Sequence, residues 1–346
     1  MEYPFESRFI QTRDLNVHYL KEGSGPAIIL LHGWPQTSYL WRNQIDSLAK
    51  HFTVYAPDNR GFGLTDKPRV RITRDLLARD VINFMDALNI QDAAVVGHDW
   101  GGIIGFKVAV DYAERVRQLC LIDTSTTTWP TWAGHAYWAK VPGVSMEFFK
   151  RCADGFLGWC FAGEQPDYTG VIAPFPPTPL PGAAYGWCDE KALAHYRAAF
   201  KNPDTHFATT EYYCSGLPMH RVLSNDISND SNHWVFEYIG EQGCRDIWQQ
   251  PGGYMKHPDL KQPLCFAPED WNKKFTKPAL FVYSPMLVPK AFEQGRPLAG
   301  YQLGGDVWQD SIARPFSNLQ TRGIACGHFV PEEAPDALNE ILLEFL

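Results

Sequence analysis

VVGHDWGG, residues 95–102, is the stretch on which the fold of this chain is decided. A valine pair runs into Gly97, then His98 and Asp99, then Trp100 and two more glycines. Small residues two before and two after Asp99 suit a sharp strand-to-helix turn, because bulk at either flank would clash there. The central side chain of such a turn projects from its tip. An aspartate in that place sits beside a helix N-terminus, whose partial positive charge favours the ionised form by about 0.3–1 kcal/mol. An ionised carboxylate can attack carbon, and it can equally be a plain helix N-cap. The pentapeptide alone leaves both readings open.

A second loop separates them. PAIILLHG (26–33) has the pattern of a buried strand ending in glycine, and His32-Gly33-Trp34-Pro35 follows from it. The backbone N–H groups of Trp34 and Trp100 can then converge beside Asp99 as a donor pair, an oxyanion hole. A third element, Gly327-His328-Phe329, follows another short apolar strand and precedes the last amphipathic helix, PDALNEILLEFL. Nucleophile before histidine is the chain order of hydrolases built on a strand–turn–helix elbow.

Outward from these loops the chain alternates strand and helix. Residues 9–20 suggest an edge hairpin, and FTVYAPDNRG (52–61) repeats the buried-strand pattern. From Thr73 the apolar residues Leu76, Leu77, Val81, Phe84, Met85 and Leu88 recur at helical spacing. GIIGFKVAVDYAERV (102–116) reads as a helix and QLCLIDTS (118–125) as a strand. That order predicts a largely parallel sheet covered on both faces. The rhythm stops after Thr126. Residues 127–275 are rich in aromatics, Pro and Gly, with helical pieces at 145–161 and at 189–200, where Asp189 is the N-cap. Strands resume at PALFVYS (278–284) and TRGIACGHF (321–329). The expectation is a core of residues 1–126 and 276–346, interrupted by a mainly helical cap of residues 127–275.

Composition narrows the partners. The 346 residues carry a net charge of -8, and Lys107, Arg115, Arg117, Lys150 and Arg151 are scattered, so nucleic acid is not expected. Apolar runs such as AIILL are too short to span a bilayer, and MEYPFESRFI lacks an apolar leader core, so no membrane and a cytoplasmic location are expected. The eight cysteines show neither CxxC nor Cys/His zinc spacing, and Cys120 and Cys265 read as buried hydrophobes. No metal and no organic cofactor are expected. With 12 Trp and 21 Phe, the chain has the residues to line an apolar cavity, which makes a small apolar organic substrate the expected partner. A homodimer is left open.

The order HGWP, DNRGFGLTDKP (58–68), GHDWGG and CGHFVPEEAP (326–335) resembles the α/β-hydrolase superfamily. More closely it is similar to the epoxide hydrolase and haloalkane dehalogenase branch, in which aspartate replaces serine. The resemblance covers nearly the whole core and only loosely the cap. It implies an α/β-hydrolase fold: a mostly parallel central sheet flanked by helices, with an inserted, mainly helical cap. It further implies Asp99 as nucleophile, His328 as the base that activates water, and the Trp34 and Trp100 amides as the hole. A carboxylate that opens a strained ring or displaces halide leaves an ester, which water can cleave; a serine would leave an ether.

The epoxide branch also draws an acid from its cap, usually two tyrosines. THFATTEYYCSG (205–216) resembles the segment that bears one, with Tyr213 the best match and Tyr212 its neighbour. HAYWAKVPGVSMEF (135–148) resembles the other, and there His135 replaces the tyrosine, with Tyr137 and Trp138 close by as candidate substrate contacts. Haloacetate dehalogenases carry a histidine there too, but also arginines after the nucleophile. Here Trp100 and Ile103-Ile104 stand in that place, which disfavours a small anionic substrate.

The acid that orients His328 has several candidates. No carboxylate follows PALFVYS until Glu293; Asp123 sits where haloalkane dehalogenases carry a glutamate; Asp306 and Asp310 lie before the last strand. Asp58–Gly63 is expected to build the loop under the site, and Glu332 and Glu333 to favour a helix dipole and nothing more. The reaction implied is hydrolysis of an apolar epoxide to a vicinal diol. Haloalkane dehalogenation by the same chemistry is the alternative, and after it a repurposed cyclase, lyase or binding protein.

Overall fold

The structure is a computed structural model that describes residues 2–131, 133–164, 185–224, 234–261, 263–284 and 311–346. Its strands are β1 (Ser7–Gln11), β2 (Asn16–Glu22), β3 (Ala27–Leu31), β4 (Thr53–Pro57), β5 (Ala93–His98), β6 (Val116–Ile122), β7 (Thr128–Trp129), β8 (His220–Ser224), β9 (Trp234–Tyr238), β10 (Leu264–Cys265), β11 (Ala279–Tyr283) and β12 (Leu319–Gly323). Eight of them form one sheet in the order β1-β2-β4-β3-β5-β6-β11-β12. The β1–β2 hairpin and its join to β4 are antiparallel, and every pairing from β4 to β12 is parallel.

The period-two geometry of a strand divides its apolar residues between two cores. Ile29, Leu31, Val95, Leu119 and Leu121 face one side, where α2 (Arg74–Ala87) and α3 (Trp100–Asp111) pack. Ile28, Leu30, Val96, Cys120 and Ile122 face the other, against α1 (Arg42–Leu48) and the C-terminal helix Pro335–Phe345. Strands buried on both faces need uninterrupted apolar sequence, which is why PAIILLHG and AAVVGH carry no alternation. Thr73 starts α2 by accepting the Leu76 amide. Residues 113–115, expected to continue α3, instead form a 3-10 turn into β6.

From β3 the chain moves outward to β4, then crosses back to β5 on the other flank. The carboxyl ends of β3 and β5 therefore border a topological switch point, the usual ligand crevice of an open α/β sheet. The HGWP loop and Asp99 both lie there.

Between β6 and β11 the chain leaves the large sheet. It forms α4 (His135–Ala139), α5 (Pro142–Ala162), α6 (Glu190–Phe200), α7 (Pro203–Cys214) and α8 (Gly240–Trp248). It also forms an antiparallel four-stranded sheet, β7-β10-β8-β9, which sequence reasoning did not anticipate. β7 and β10 are two residues each, too short to carry a period, and β9 turns Trp234 and Phe236 onto Trp271 at ring distances of 5.4 and 5.2 Å. After β12 come α9 (Val330–Glu333) and α10 (Pro335–Phe345). No helix among the described residues is long and apolar enough to cross a membrane.

Candidate active site

Asp99 closes β5 at φ 51° and ψ −120°, a conformation that L side chains rarely hold without support. Its neighbours supply that support. A Cβ on Gly101 would stand 2.0 Å from the Leu31 carbonyl oxygen, and one on Gly97 2.2 Å from the Gly101 oxygen. Only glycine fits at either flank. The Asp99 amide donates to the Ile122 carbonyl at 3.1 Å, and its own carbonyl accepts the Thr124 hydroxyl at 2.6 Å. The Asp99 side chain makes no capping bond to α3, so it is not a plain N-cap. Its Oδ1 accepts the Trp34 amide at 2.8 Å, and the Trp100 amide also favours its charged form.

His328 faces two carboxylates. Its Nε2 stands 3.5 Å from Asp99 Oδ2, and its Nδ1 is 2.9 Å from Asp123 Oδ2. The Asp123 contact fixes the proton on Nδ1 and turns Nε2 toward Asp99. Asp123 ends β6 at φ 46° and is fully buried. Ser284, at the end of β11, donates its amide to Asp123 Oδ1 at 2.8 Å and its hydroxyl to Oδ2 at 3.1 Å. Of the candidate acids, Asp123 is the one brought to His328; Glu293, Asp306 and Asp310 lie outside the described residues.

The backbone around His328 is held by groups that sequence reasoning missed. The Gly327 and Phe329 amides donate to the two carboxylate oxygens of Glu333 at 2.7 and 2.8 Å. His98 Nε2 donates to the His328 carbonyl at 2.8 Å. The expectation that Glu333 serves only a helix dipole is therefore corrected: it clamps the loop on both sides of the imidazole. Glu332 is corrected likewise. It is buried, paired with Arg42 at 2.5 Å, and accepts from Gln36 at 3.1 Å and from the Tyr196 hydroxyl of α6. Asp58 does build the supporting loop. It accepts the Ser38 and Leu64 amides at 2.8 Å each and contacts His18 Nδ1 at 2.7 Å, while Asn59 donates its amide to His32 at 2.9 Å.

The electrostatics follow from this packing. Burial pulls His328 down, but the hydrogen bonds and charges of Asp123 and Asp99 outweigh it and push its pKa up to about 10. Burial alone would push Asp99 up; His328, His98 and the Trp100 amide more than reverse that and hold it below the usual carboxylate range. Burial pushes Asp123 up, with His328 and Ser284 pulling part of the way back. His98 is driven down to about 3 by burial and by His328, so it stays neutral.

Two residues of the insert meet this centre. His135 stacks on the Trp34 indole (5.8 Å, 16°) and stands edge-on to Tyr213 at 5.4 Å and to Trp129 at 5.4 Å. Tyr213 is also edge-on to Trp34 at 5.5 Å and to Trp100 at 5.6 Å, so both aromatics beside Asp99 touch it. Burial lowers His135 to about 4, against a raising effect of the Asp99 charge, which leaves a neutral imidazole. Burial and then the Asp99 charge raise Tyr213 well above the ordinary phenol value, so it keeps its proton. Its hydroxyl and the Trp100 indole nitrogen have no hydrogen-bond partner among the described residues. The Trp100 indole N–H nevertheless acts on that hydroxyl, pulling its pKa part of the way back down.

Three expected substrate contacts are placed elsewhere. Tyr212 donates to the Arg60 carbonyl at 3.1 Å and packs on Phe62. Successive helical residues diverge by about 100°, so when Tyr213 faces the site Tyr212 turns to the core. Tyr137 packs toward Tyr254 at 6.1 Å, and Trp138 sits on Phe148 and Phe149 at 5.2 and 5.7 Å, both inside the insert. No group of three or more His, Cys, Asp or Glu able to hold a metal occurs among the described residues.

Comparison with known proteins agrees with this architecture. Residues 26–151 match the family model described as alpha/beta hydrolase fold. The chain is 44% identical over 276 residues to a soluble epoxide hydrolase of Corynebacterium sp. strain C12, covering 78% of this chain and 94% of that one. It is 42% identical over 129 residues to haloalkane dehalogenase 2 of Mycobacterium bovis, covering 37% of this chain and 44% of the relative. The solved epoxide hydrolase CorEH, without ligand, superposes with a TM-score of 0.69 at 21% identity, covering 98% of both chains, a likeness of fold. With a parallel sheet carrying an aspartate elbow and a histidine loop, and with these relatives, the chain belongs to the α/β-hydrolase superfamily, as a hydrolase of the epoxide hydrolase and haloalkane dehalogenase branch.

Proposed function

We propose that this chain hydrolyses a neutral, apolar epoxide to a vicinal diol through an ester on Asp99, with residues 127–275 acting as a cap over the site. The observation that carries the reading is a protonated Tyr213, its hydroxyl unpartnered, within electrostatic reach of the Asp99 anion. A buried donor without a partner costs about 1–3 kcal/mol, and an epoxide oxygen would relieve that cost. The 44% identity to a soluble epoxide hydrolase supports the same substrate class.

Asp99 is held ionised and is aimed by the Trp34 amide. Its Oδ2, which faces His328, attacks one ring carbon, the ring C–O bond breaks, and the substrate oxygen takes a proton from Tyr213 while the neutral His135 N–H helps to hold it. The Asp99 charge is consumed as the bond forms, which removes one of the influences that keep the Tyr213 proton tightly held. The acid strengthens as it is needed. Loss of that charge also strips His328 of one of its two anionic neighbours, so it releases its proton more readily; that proton restores the Tyr213 hydroxyl, and the neutral imidazole becomes the base for water. His328 takes a proton from water as its oxygen attacks the ester carbonyl, and the Trp34 and Trp100 amides stabilise the charge that collects there; one such donor is worth about 2.7–4 kcal/mol. The carbonyl carbon's bond to the substrate oxygen then breaks, which releases the diol and restores the Asp99 carboxylate.

A dehalogenase reading draws support from the unpartnered Trp100 indole N–H, a suitable halide donor. The test is product analysis of the purified protein with neutral aryl and alkyl epoxides and, in parallel, with haloalkanes. The proposal expects diol formation and at most slow halide release. Halide release without diol would replace the epoxide reading, and no turnover of either class would overturn both.

A further inference from the structure

Lys140 caps the C-terminal end of α4 and is only 5% exposed. Its Nζ donates to the main-chain carbonyls of Tyr213 and Leu217, at and just beyond the end of α7. No carboxylate pairs with it among the described residues. Burial without a counter-ion lowers the pKa of this amine, and an apolar side chain of similar length would occupy the space more cheaply. The negative end of the α7 dipole offsets part of that cost. What the remainder achieves is positional. His135 lies on the helix that Lys140 ends, and Tyr213 is the residue whose carbonyl it holds. A second contact ties α7 to α5, the helix that follows Lys140: Ser145 on α5 and Thr210 on α7 share a hydroxyl bond of 2.8 Å. Thr209 then accepts the Trp34 indole N–H at 3.3 Å, which ties α7 to the loop over Asp99.

We infer that Lys140 is a positioning residue, whose buried Nζ fastens the α4 and α7 segments so that His135 and Tyr213 act together on the substrate oxygen. This rests on the reaction proposed above, in which those two groups serve ring opening and not ester hydrolysis. The inference therefore separates the two steps. In Lys140→Met, rapid-quench measurement with a neutral aryl epoxide should show ester formation slowed about 10- to 100-fold, the scale on which small misplacements act. Ester hydrolysis on the same preparation should stay within about twofold, which also certifies a folded site. Adding Tyr213→Phe to Lys140→Met should cost much less than Tyr213→Phe costs alone.

Equal slowing of both steps, or ester formation at the wild-type rate, overturns the inference. A readout free of turnover keeps it separate from the reaction scheme. The His135 ring resonances, set by the edge-on Tyr213, should move in Lys140→Met, and unchanged resonances would sink the inference even if the wild-type chain forms no ester. If Lys140→Met melts below the assay temperature, Lys140→Gln, which keeps an amide donor, is measured against the same criteria.

Discussion

Replacing Asp99 with Asn keeps the shape of the side chain and removes its charge, which imitates the electrostatics of the ester. His328 Nε2 lies 3.5 Å from Asp99 Oδ2, and both side chains are mostly buried, at 17% and 18% exposure. At that separation, with an effective dielectric of about 20, the attraction is about 5 kcal/mol. One pKa unit corresponds to about 1.4 kcal/mol, so His328 should fall by roughly 3 units. Removing an anion always lowers the pKa of a neighbouring cation, so the sign is fixed. The midpoint should move from about 10 into the neutral range in Asp99→Asn. Titration of the imidazole nitrogens by NMR measures it, with intact mass checking that the new amide has not been hydrolysed. A midpoint that stays near the wild-type value would refute the idea that ester formation itself converts His328 into a base.

The other predictions concern the support of that imidazole. Asp123→Asn leaves the packing but loses the acceptor that fixes the His328 tautomer; ester hydrolysis should drop by about 10⁴-fold, as in a serine triad without its acid, and trapped ester should accumulate in a burst experiment. Glu333→Gln replaces charged acceptance from the Gly327 and Phe329 amides with a neutral amide, one end of which cannot accept. Its cost should be about 1.5–3 kcal/mol in urea melts, with slower ester hydrolysis than ester formation. Stability should also depend on His328. Its folded pKa lies above its unfolded value, so its contribution is complete below about pH 6.5 and is lost as pH rises through about 10. Urea melts of His328→Gln should be flatter than wild type across that window; parallel curves would remove the charge coupling.

How much of this was legible depended on range along the chain. The parallel sheet could be read because doubly buried strands demand continuous apolar runs, and the elbow because Gly97 and Gly101 leave no room for a Cβ. The Asp123–His328 contact spans 205 residues. It depends on β6 lying beside β11, so that Ser284 at the end of one strand can hold the acid at the end of the next. Sequence could nominate Asp123 but had no local pattern to select it. Ser284 ends the segment after which an acid was sought and found missing, a usable signal once the strand order is known. Tyr212 and Tyr213 are identical neighbours, and only the rotation of α7 against Trp34 and Arg60 distinguishes them. Glu333 lies within the CGHFVPEEAP stretch, but nothing there marked its role, since its work is done on backbone amides that any sequence possesses.

The most direct test is the mass of His328→Gln after exposure to a neutral aryl epoxide. The account predicts a gain equal to one substrate, mapped by peptide sequencing to Asp99, on a variant that no longer turns over. An unmodified chain that still forms diol, or an adduct on any other residue, would contradict it.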